Sequence, residues 1–350
     1  MRKKFGIKVP NSTKEASLLD KTNGDSKWHD AIQKELMALQ KLNVWRFHLS
    51  NHKMSKECQK APLRMIFDVK KEDLRRKARH VVGGHEIDSD HLEAYSSVVQ
   101  SMSVRILLTL AHKHKLKVMS GDVGNAFPNA PTKEKVHAVA GEKFGERMGC
   151  LVEIIKTSYG MSTASRSFAL CLGDFIRTLG YVPSRADPET WIKKDDNYDG
   201  YSFMSAHVDD FLIIGTDPEP VMNAFKDEFD IRNDELNPSA YLVLEWEGSE
   251  LGKTKIHKQK HIKEAMSQIE SSLGAQIKKE NVPFHPKYHP ELDESRILAD
   301  EEITEHQRFI GILQWIQSSL RLDVALAASS LARFQCSPRG NHRAGVIKIY

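Results

Sequence analysis

Asp122 closes one apolar run of this sequence, and the adjacent pair Asp209 and Asp210 interrupts another. Two neighbouring carboxylates at a tight bend repel each other and are costly to desolvate, and a divalent cation removes that cost. Mg2+ takes one or two carboxylates together with substrate phosphate oxygens, which suits this set, and Mn2+ is an alternative. Two such ions bridged by Asp122 and Asp209 would activate a hydroxyl nucleophile and stabilise a departing phosphate group. From residue types alone, however, an Asp-Asp dipeptide reads first as a turn.

The elements that must position these acids are legible as hydrophobic patterns. Leu116–Val123 is strand-like and delivers Asp122 near its C-terminal end. Tyr201–His207 and Phe211–Gly215 flank the Asp pair, which predicts a β-hairpin with both acids at or beside its turn. Helices are expected over Ser101–His114 (Val104, Leu107, Leu108 and Ala111 on one side), over Ala164–Leu179, stopped by Gly180, and over Val221–Phe229. Trp28, Ile32, Glu35, Leu36 and Leu39 follow a 3.6-residue period that ends near Asn43. Leu63–Val69 and Ala78–Val82 read as short strands separated by the charged stretch Lys70–Lys77, and residues 1–25 as a loose polar lead-in. Beyond Glu247 come lysine-rich sequence, a helical stretch His261–Ser272, a connector Val282–Pro290, and helical segments Thr304–Leu320 and Val324–Phe334. The class is therefore α+β with an appended helical region.

With 350 residues the chain exceeds one compact core, so two or three subdomains are expected. Hydrophobic residues at 40% and charged residues at 28% describe a globular protein rather than a disordered one. Apolar runs such as Val104–Ala111 fall short of the ~20 residues of a membrane span, and no secretory leader pattern opens the chain. The expectation is an intracellular protein, cytoplasmic or nuclear, with no membrane partner. Cys58, Cys150, Cys171 and Cys336 lie far apart and read as free thiols. His80, His85 and His91 lack the partners of a zinc site and read as surface histidines. The net charge of +4 says little, but Lys70–Arg79 and Lys253–Lys263 are basic blocks able to neutralise phosphates. Each block alone is equally an ordinary solvated face.

Three strings appear in a fixed order: S-x-D-V-x-N-A-F (Ser120–Phe127), K-x-S-Y-G-M (Lys156–Met161) and H-V-D-D-F-L-I-I-G (His207–Gly215). Together they resemble the reverse-transcriptase family, specifically its Ty1/copia retrotransposon branch. The segment Trp28–Trp45 is similar to that branch's first helix. R-x-K-A-R-x-V-x-G-G (Arg75–Gly84) is similar to its basic strand, and Arg321–Pro338 to its C-terminal R-P-D-I segment. No single motif is specific, but six in the family's order are.

The resemblance implies a right-hand polymerase fold, with a polar lead-in over 1–27, fingers over 28–98 and 130–162, a palm over 99–129 and 163–247, and a thumb or connection-like helical region over 248–350. It implies an RNA-directed DNA polymerase, a nucleotidyltransferase that uses Mg2+ (or Mn2+) to add dNTPs to a primer on an RNA or DNA template. Asp122 and Asp209 match the palm carboxylates that hold both metals, Asp210 the neighbouring acid, and the Val123 carbonyl completes a metal shell. Lys77 and Arg79, two apart and so on one strand face, match the triphosphate-holding residues of the fingers. Phe127 matches the ring that excludes a 2′-hydroxyl, and Tyr159 and Gly160 the loop shaping the nascent base-pair pocket. Leu242, Val243, Leu244, Glu245 and Trp246 are placed like the primer grip. Lys253, Lys255, Lys258 and Lys260 follow as contacts to the nucleic-acid backbone.

The chain also departs from the branch's pattern. His207 replaces the usual tyrosine before V-D-D, and F-P-N-A (Phe127–Ala130) replaces F-L-N-G. M-S-T-A-S-R (Met161–Arg166) replaces L-K-Q-x-P-R, and Val243 stands at the primer-grip glycine. No stretch resembles the branch's protease, integrase or ribonuclease H. These departures leave a second expectation, a catalytically weak or inactive remnant that binds template–primer nucleic acid. A metal-dependent nuclease using the same acids would need a general base that none of the motifs supplies.

Overall fold

The computed structural model describes residues 2–71, 73–195, 199–242, 244–248, 254–278, 282, 288–319 and 321–350. Two compact units emerge, Met1–Pro238 and Ser239–Tyr350.

In the first unit, β1 (Arg2–Lys4) and β2 (Ile7–Val9) form a hairpin that leads into α1 (Thr13–Asn23). The lead-in expected to be loose is thus ordered. Val9, Ala16 and Leu19 enter a core with Trp28, Ile32, Leu36 and Phe67. Asp20 turns inward and caps α2 (Lys27–Lys41), accepting the N–H groups of Trp28 and His29 at 3.1 and 2.9 Å. The apolar stripe predicted for α2 is the one it buries, with Trp28 edge-on to Phe67 at 5.6 Å.

Strands β3 (Trp45–His48), β4 (Gln59–Lys60), β5 (Leu63–Val69) and β6 (Arg76–Val82) follow. Among the described residues β5 and β6 form a two-stranded antiparallel sheet, with Ile66 opposite Arg79 and Asp68 opposite Lys77, and Val81 of β6 makes a further isolated bridge to Tyr159. The alternation of β6 buries Ala78, His80 and Val82 and leaves Lys77 and Arg79 on the other face. His80 corrects the surface reading of the histidine cluster: it is fully buried, edge-on to Trp45 and Phe144. That burial pushes its ring down to about 3, so it is neutral at any physiological pH.

Helix α3 (Ser101–Lys113) buries Val104, Leu107, Leu108 and Ala111, as its period requires. Next come β7 (Lys117–Val123), β8 (Pro131–Val139), β9 (Leu151–Lys156) and α4 (Ala164–Thr178). β10 (Val182–Pro183), β11 (Thr190–Lys194), β12 (Tyr201–His207), β13 (Asp210–Gly215), α5 (Glu219–Glu228) and β14 (Ile231–Leu236) complete the unit. Six of these strands form one sheet in the order β10-β11-β12-β13-β7-β14, antiparallel throughout. β3, β9, β8 and β4 form a second sheet.

Phe168, Leu172 and Ile176 of α4 and Met222 and Phe225 of α5 pack on one face of the large sheet. Phe225 stacks on Phe211 of β13 at 4.3 Å. Phe211, Leu212, Ile213 and Ile214 are all at most 1% exposed, because β13 is covered on both faces. Burying each such side chain stabilises the unit by roughly 1.5–3 kcal/mol. The central strands that carry the acids are therefore the best anchored part of the sheet.

The second unit opens with a small antiparallel sheet, β15 (Ala240–Tyr241), β16 (Leu244–Gly248) and β17 (Thr254–His257). Helices α6 (Gln259–Leu273), α7 (Asp300–Ser319), α8 (Ala325–Ala332) and α9 (Gly340–Ile349) follow. Ile269, Phe309, Leu313, Leu331 and Val346 form their shared core. Most of the connector expected over Val282–Pro290 lies outside the described residues. No described helix is long and apolar enough to cross a membrane.

Candidate active site

β12 and β13 form the predicted hairpin, with His207 opposite Asp210 and the turn made by Val208 and Asp209. Val208 takes φ 58, a left-handed conformation that a β-branched side chain resists. Neighbouring β7 places Asp122 directly opposite Asp210, and the Val123 N–H donates to the Asp209 carbonyl at 2.8 Å. Residues opposite each other in a ladder project from the same sheet face. Asp122 and the Asp209-Asp210 pair, distant in sequence, thus meet at one end of the sheet. On the other flank of β7, Arg232 of β14 stands opposite Asp122 and holds Asp230 at 2.7 Å.

The electrostatics follow from this register. Burial, then the charges of Asp209 and Asp122, push the Asp210 carboxyl up to about 6, while His207 pulls the other way. Burial and then Asp209 also raise Asp122, opposed by Arg232, Lys70 and Lys77. Acids crowded in this way bind a cation readily, because the cation removes the repulsion.

A cleft of about 580 Å³ opens above Asp122, Val123 and Asp209. Its other walls include Lys70, Arg75, Lys77, Arg79, Tyr159 and Arg232. Lys77 and Arg79 therefore do face the acids, and the guanidinium of Arg79 lies 5.1 Å from the Tyr159 ring. Asp210, Phe127 and Gly160 are not part of the cleft wall. Phe127 sits one layer back, its ring 5.1 Å from that of Tyr159 and its carbonyl accepting the Thr157 hydroxyl. Gly160 has φ 91, and a Cβ there would meet the Val82 carbonyl, just as one on Gly84 would meet the Gly160 carbonyl. The two glycines let the loop lie directly on the end of β6.

The chemistry of the donors, two carboxylate groups and no thiol or imidazole, is of the oxygen type that Mg2+ takes. Among the described residues no group of three or more His, Cys, Asp or Glu side chains is placed to hold a metal ion, so side-chain donors here number two at most. Asp122 and Asp209 line one cleft whose other walls are largely cationic, so an Mg2+ ion held there would take these two carboxylates and draw its remaining ligands from phosphate and water.

Two departures noted in the sequence are accommodated locally. Pro128 lies in the first turn of a 3-10 helix, Phe127–Asn129, where a missing N–H is no loss. In the altered loop, Ser162 and Thr163 both donate to the buried Glu134 carboxylate, Thr163 through its N–H at 2.9 Å and its hydroxyl at 2.7 Å. That clamp holds the start of α4 beside Tyr159 and Gly160.

The remaining candidates lie in the second unit. Leu244, Glu245 and Trp246 are on β16, Leu242 takes φ 55, and Val243 and Lys253 lie outside the described residues. The Glu245 carboxylate lies 3.1 Å from His257 Nδ1 and accepts the Lys260 N–H at 3.4 Å rather than standing open. Lys255 and Lys260 are exposed. Lys258 corrects the expectation of a backbone contact: it is 4% exposed, with its ammonium 4.4 Å from the Trp315 ring. Its stem is buried and its charge lies on an aromatic face. Reading the sequence missed Arg232, Glu35 and Asp230, which reach the cleft only through the pairing of β14 with β7 and the packing of α2 on β6.

The family follows from sequence comparison. Residues 43–275 match the profile of the reverse transcriptase (RNA-dependent DNA polymerase) family. The chain is 25% identical over 283 residues to the retrovirus-related Pol polyprotein from transposon RE1 of Arabidopsis thaliana, covering 79% of this chain and 19% of that protein. It is 29% identical over 198 residues to the corresponding polyprotein from transposon TNT 1-94 of Nicotiana tabacum, covering 53% and 14%. The chain thus spans about a fifth or less of the length of these relatives. A foamy viral protease-reverse transcriptase solved in complex with double-stranded DNA aligns over 91% of this chain and 47% of its own, with a TM-score of 0.48 and 13% identity.

Proposed function

Because the chain belongs to the reverse transcriptase (RNA-dependent DNA polymerase) family, we propose that it extends a primer with dNTPs along an RNA or DNA template. One observation carries this reading: Asp122 and Asp209 share a cleft whose other walls carry Lys77, Arg79 and Arg232. Two bound Mg2+ ions would supply activation of the primer hydroxyl and neutralisation of the leaving pyrophosphate.

The chain's own residues do the rest. Asp122 and Asp209, with the Val123 carbonyl, hold the metals. Asp210, opposite Asp122 on the neighbouring strand, adds field and has the lesser role. Lys77 supplies point charge and Arg79 a fork of donors to triphosphate oxygens. Tyr159, braced by Arg79 and Phe127, closes the base-pair pocket, and Phe127 limits room at the sugar. On this reading residues 28–98 and 130–162 act as fingers, 99–129 and 163–247 as palm, and 248–350 as thumb. The β16 strand serves as primer grip, and Lys255 and Lys260 track the duplex.

A primed RNA template, dNTPs and Mg2+ or Mn2+ test the reading, with Asp209→Asn as control. Extension by the native chain that the control loses supports the polymerase. Duplex binding without extension in either protein supports a remnant that grips nucleic acid. Primer shortening that depends on the acids would instead indicate a nuclease.

A further inference from the structure

Helix α2 carries a carboxylate that the polymerase scheme leaves without a task. Glu35 lines the cleft and accepts the backbone N–H of His80 at 3.0 Å. Burial pushes its carboxyl up, while the His80 N–H, Lys77, Arg79 and Arg232 pull it down. A buried acid is expensive unless its bonds and charges are answered, and these partners answer it in part, leaving the carboxyl raised above its ordinary value.

The backbone of β6 explains why an acceptor is needed there. Among the described residues β6 has β5 as its only ladder partner, so the N–H groups on its outer edge must bond elsewhere. Val82 bonds the Tyr159 carbonyl at 2.8 Å, and His80 bonds Glu35. Between them these two bonds fix the outer edge of the strand whose opposite face presents Lys77 and Arg79. The Val82 bond ties that edge to the Tyr159 loop, and the Glu35 bond ties it to α2.

We propose that Glu35 is a positioning residue for the triphosphate grip, holding β6 by the His80 N–H so that Lys77 and Arg79 reach over the acids. The role in nucleotide binding rests on the polymerase reading; the tether rests on the geometry of α2 and β6 alone. Misplacing a positioning group by about 1 Å can cost up to about a hundredfold, so the smaller displacement from one lost tether, with the Val82 bond retained, has a measurable effect. Glutamine keeps the acceptor oxygen and removes the charge, whereas alanine removes both, so the pair separates tether from charge.

The test uses the full chain carrying Glu35→Ala or Glu35→Gln, with Glu35→Asp as a graded substitute should the alanine variant fail to fold. Amide hydrogen exchange at His80 is read in the free protein, and dNTP KM and kcat on a primed template. Glu35→Ala is expected to lose at least about tenfold of the protection at His80 and to raise KM about tenfold with kcat within about threefold. Glu35→Gln is expected to keep protection and to hold KM within about threefold. Unchanged protection in Glu35→Ala, or a glutamine variant as impaired as the alanine one, overturns the proposal. A native chain that neither extends primers nor binds dNTP overturns the polymerase reading and the triphosphate role with it. The exchange measurement then decides the tether separately: loss at His80 upholds it and persistence overturns it.

Discussion

Replacing Asp210 with asparagine should make the protein more stable at neutral pH, and the gain should vanish in acid. Asp210 faces Asp122 across the ladder and sits beside Asp209, and its carboxyl is pushed up from 3.8 to about 6, mainly by burial. Moving a carboxyl that far corresponds to about 3 kcal/mol of disfavoured charge. Because the group is partly exposed, solvent screening reduces this to about 1–2 kcal/mol. The sign follows from proton binding. Between 3.8 and about 6 the folded state holds the proton more tightly than the unfolded chain, so native stability falls as pH rises through that window. An asparagine side chain carries no charge, so the Asp210→Asn variant escapes the loss. Urea denaturation of both proteins without divalent metal, at pH 8 and at pH 4.5, reads the difference. The expected result is a stabilisation of about 1–2 kcal/mol at pH 8 that shrinks to a few tenths at pH 4.5. A variant equally or less stable than the native protein at pH 8 would refute the claim that burial and the neighbouring acids disfavour the Asp210 charge.

Three further substitutions probe the cleft. Val208→Gly relieves a left-handed β-branched residue at the acid-bearing turn; it should raise stability by about 0.5–1 kcal/mol in a melting curve while slowing extension, and a loss of stability would contradict the strain. Gly160→Ala drives a Cβ onto the Val82 carbonyl at φ 91. It should cost about 3 kcal/mol or more in urea, and a change below about 1 kcal/mol would show that the loop does not lie on β6. Phe127→Ala should relax discrimination against rNTPs by at least about tenfold in single-nucleotide incorporation, and unchanged selectivity removes Phe127 from the sugar-side role.

The elements holding the acids were legible because their hydrophobic patterns are local. Phe211–Gly215 is a continuous apolar run since β13 is covered on both faces, and the 3.6 period of α2 directly encodes its buried stripe. The lead-in was misread because α1 buries only Ala16, Leu19 and the capping Asp20, too few apolar positions to show a period. β8 escaped notice because charged and buried residues alternate along Pro131–Val139, which masks a strand under its lysines and glutamate. The acids, Lys77 and Arg79 were found through motif order. Arg232 and Glu35 were not, because their approach depends on long-range pairing and helix packing that no short string records. Lys258 shows the converse failure: a lysine in a basic block reads as solvated until Trp315 is placed beneath it.

The central claim is that Asp122 and the Asp209 turn together hold the catalytic metal. Replacing Mg2+ with Fe2+ and generating hydroxyl radicals at the bound ion maps the backbone nearest to it. The account predicts cleavage at two places, the end of β7 around residues 122–124 and the β12–β13 turn around 207–210. Excess Mg2+ should suppress both cuts, and Asp209→Asn should weaken both together. Cleavage confined to one of the two segments, or directed to other parts of the chain and indifferent to Mg2+, would contradict it.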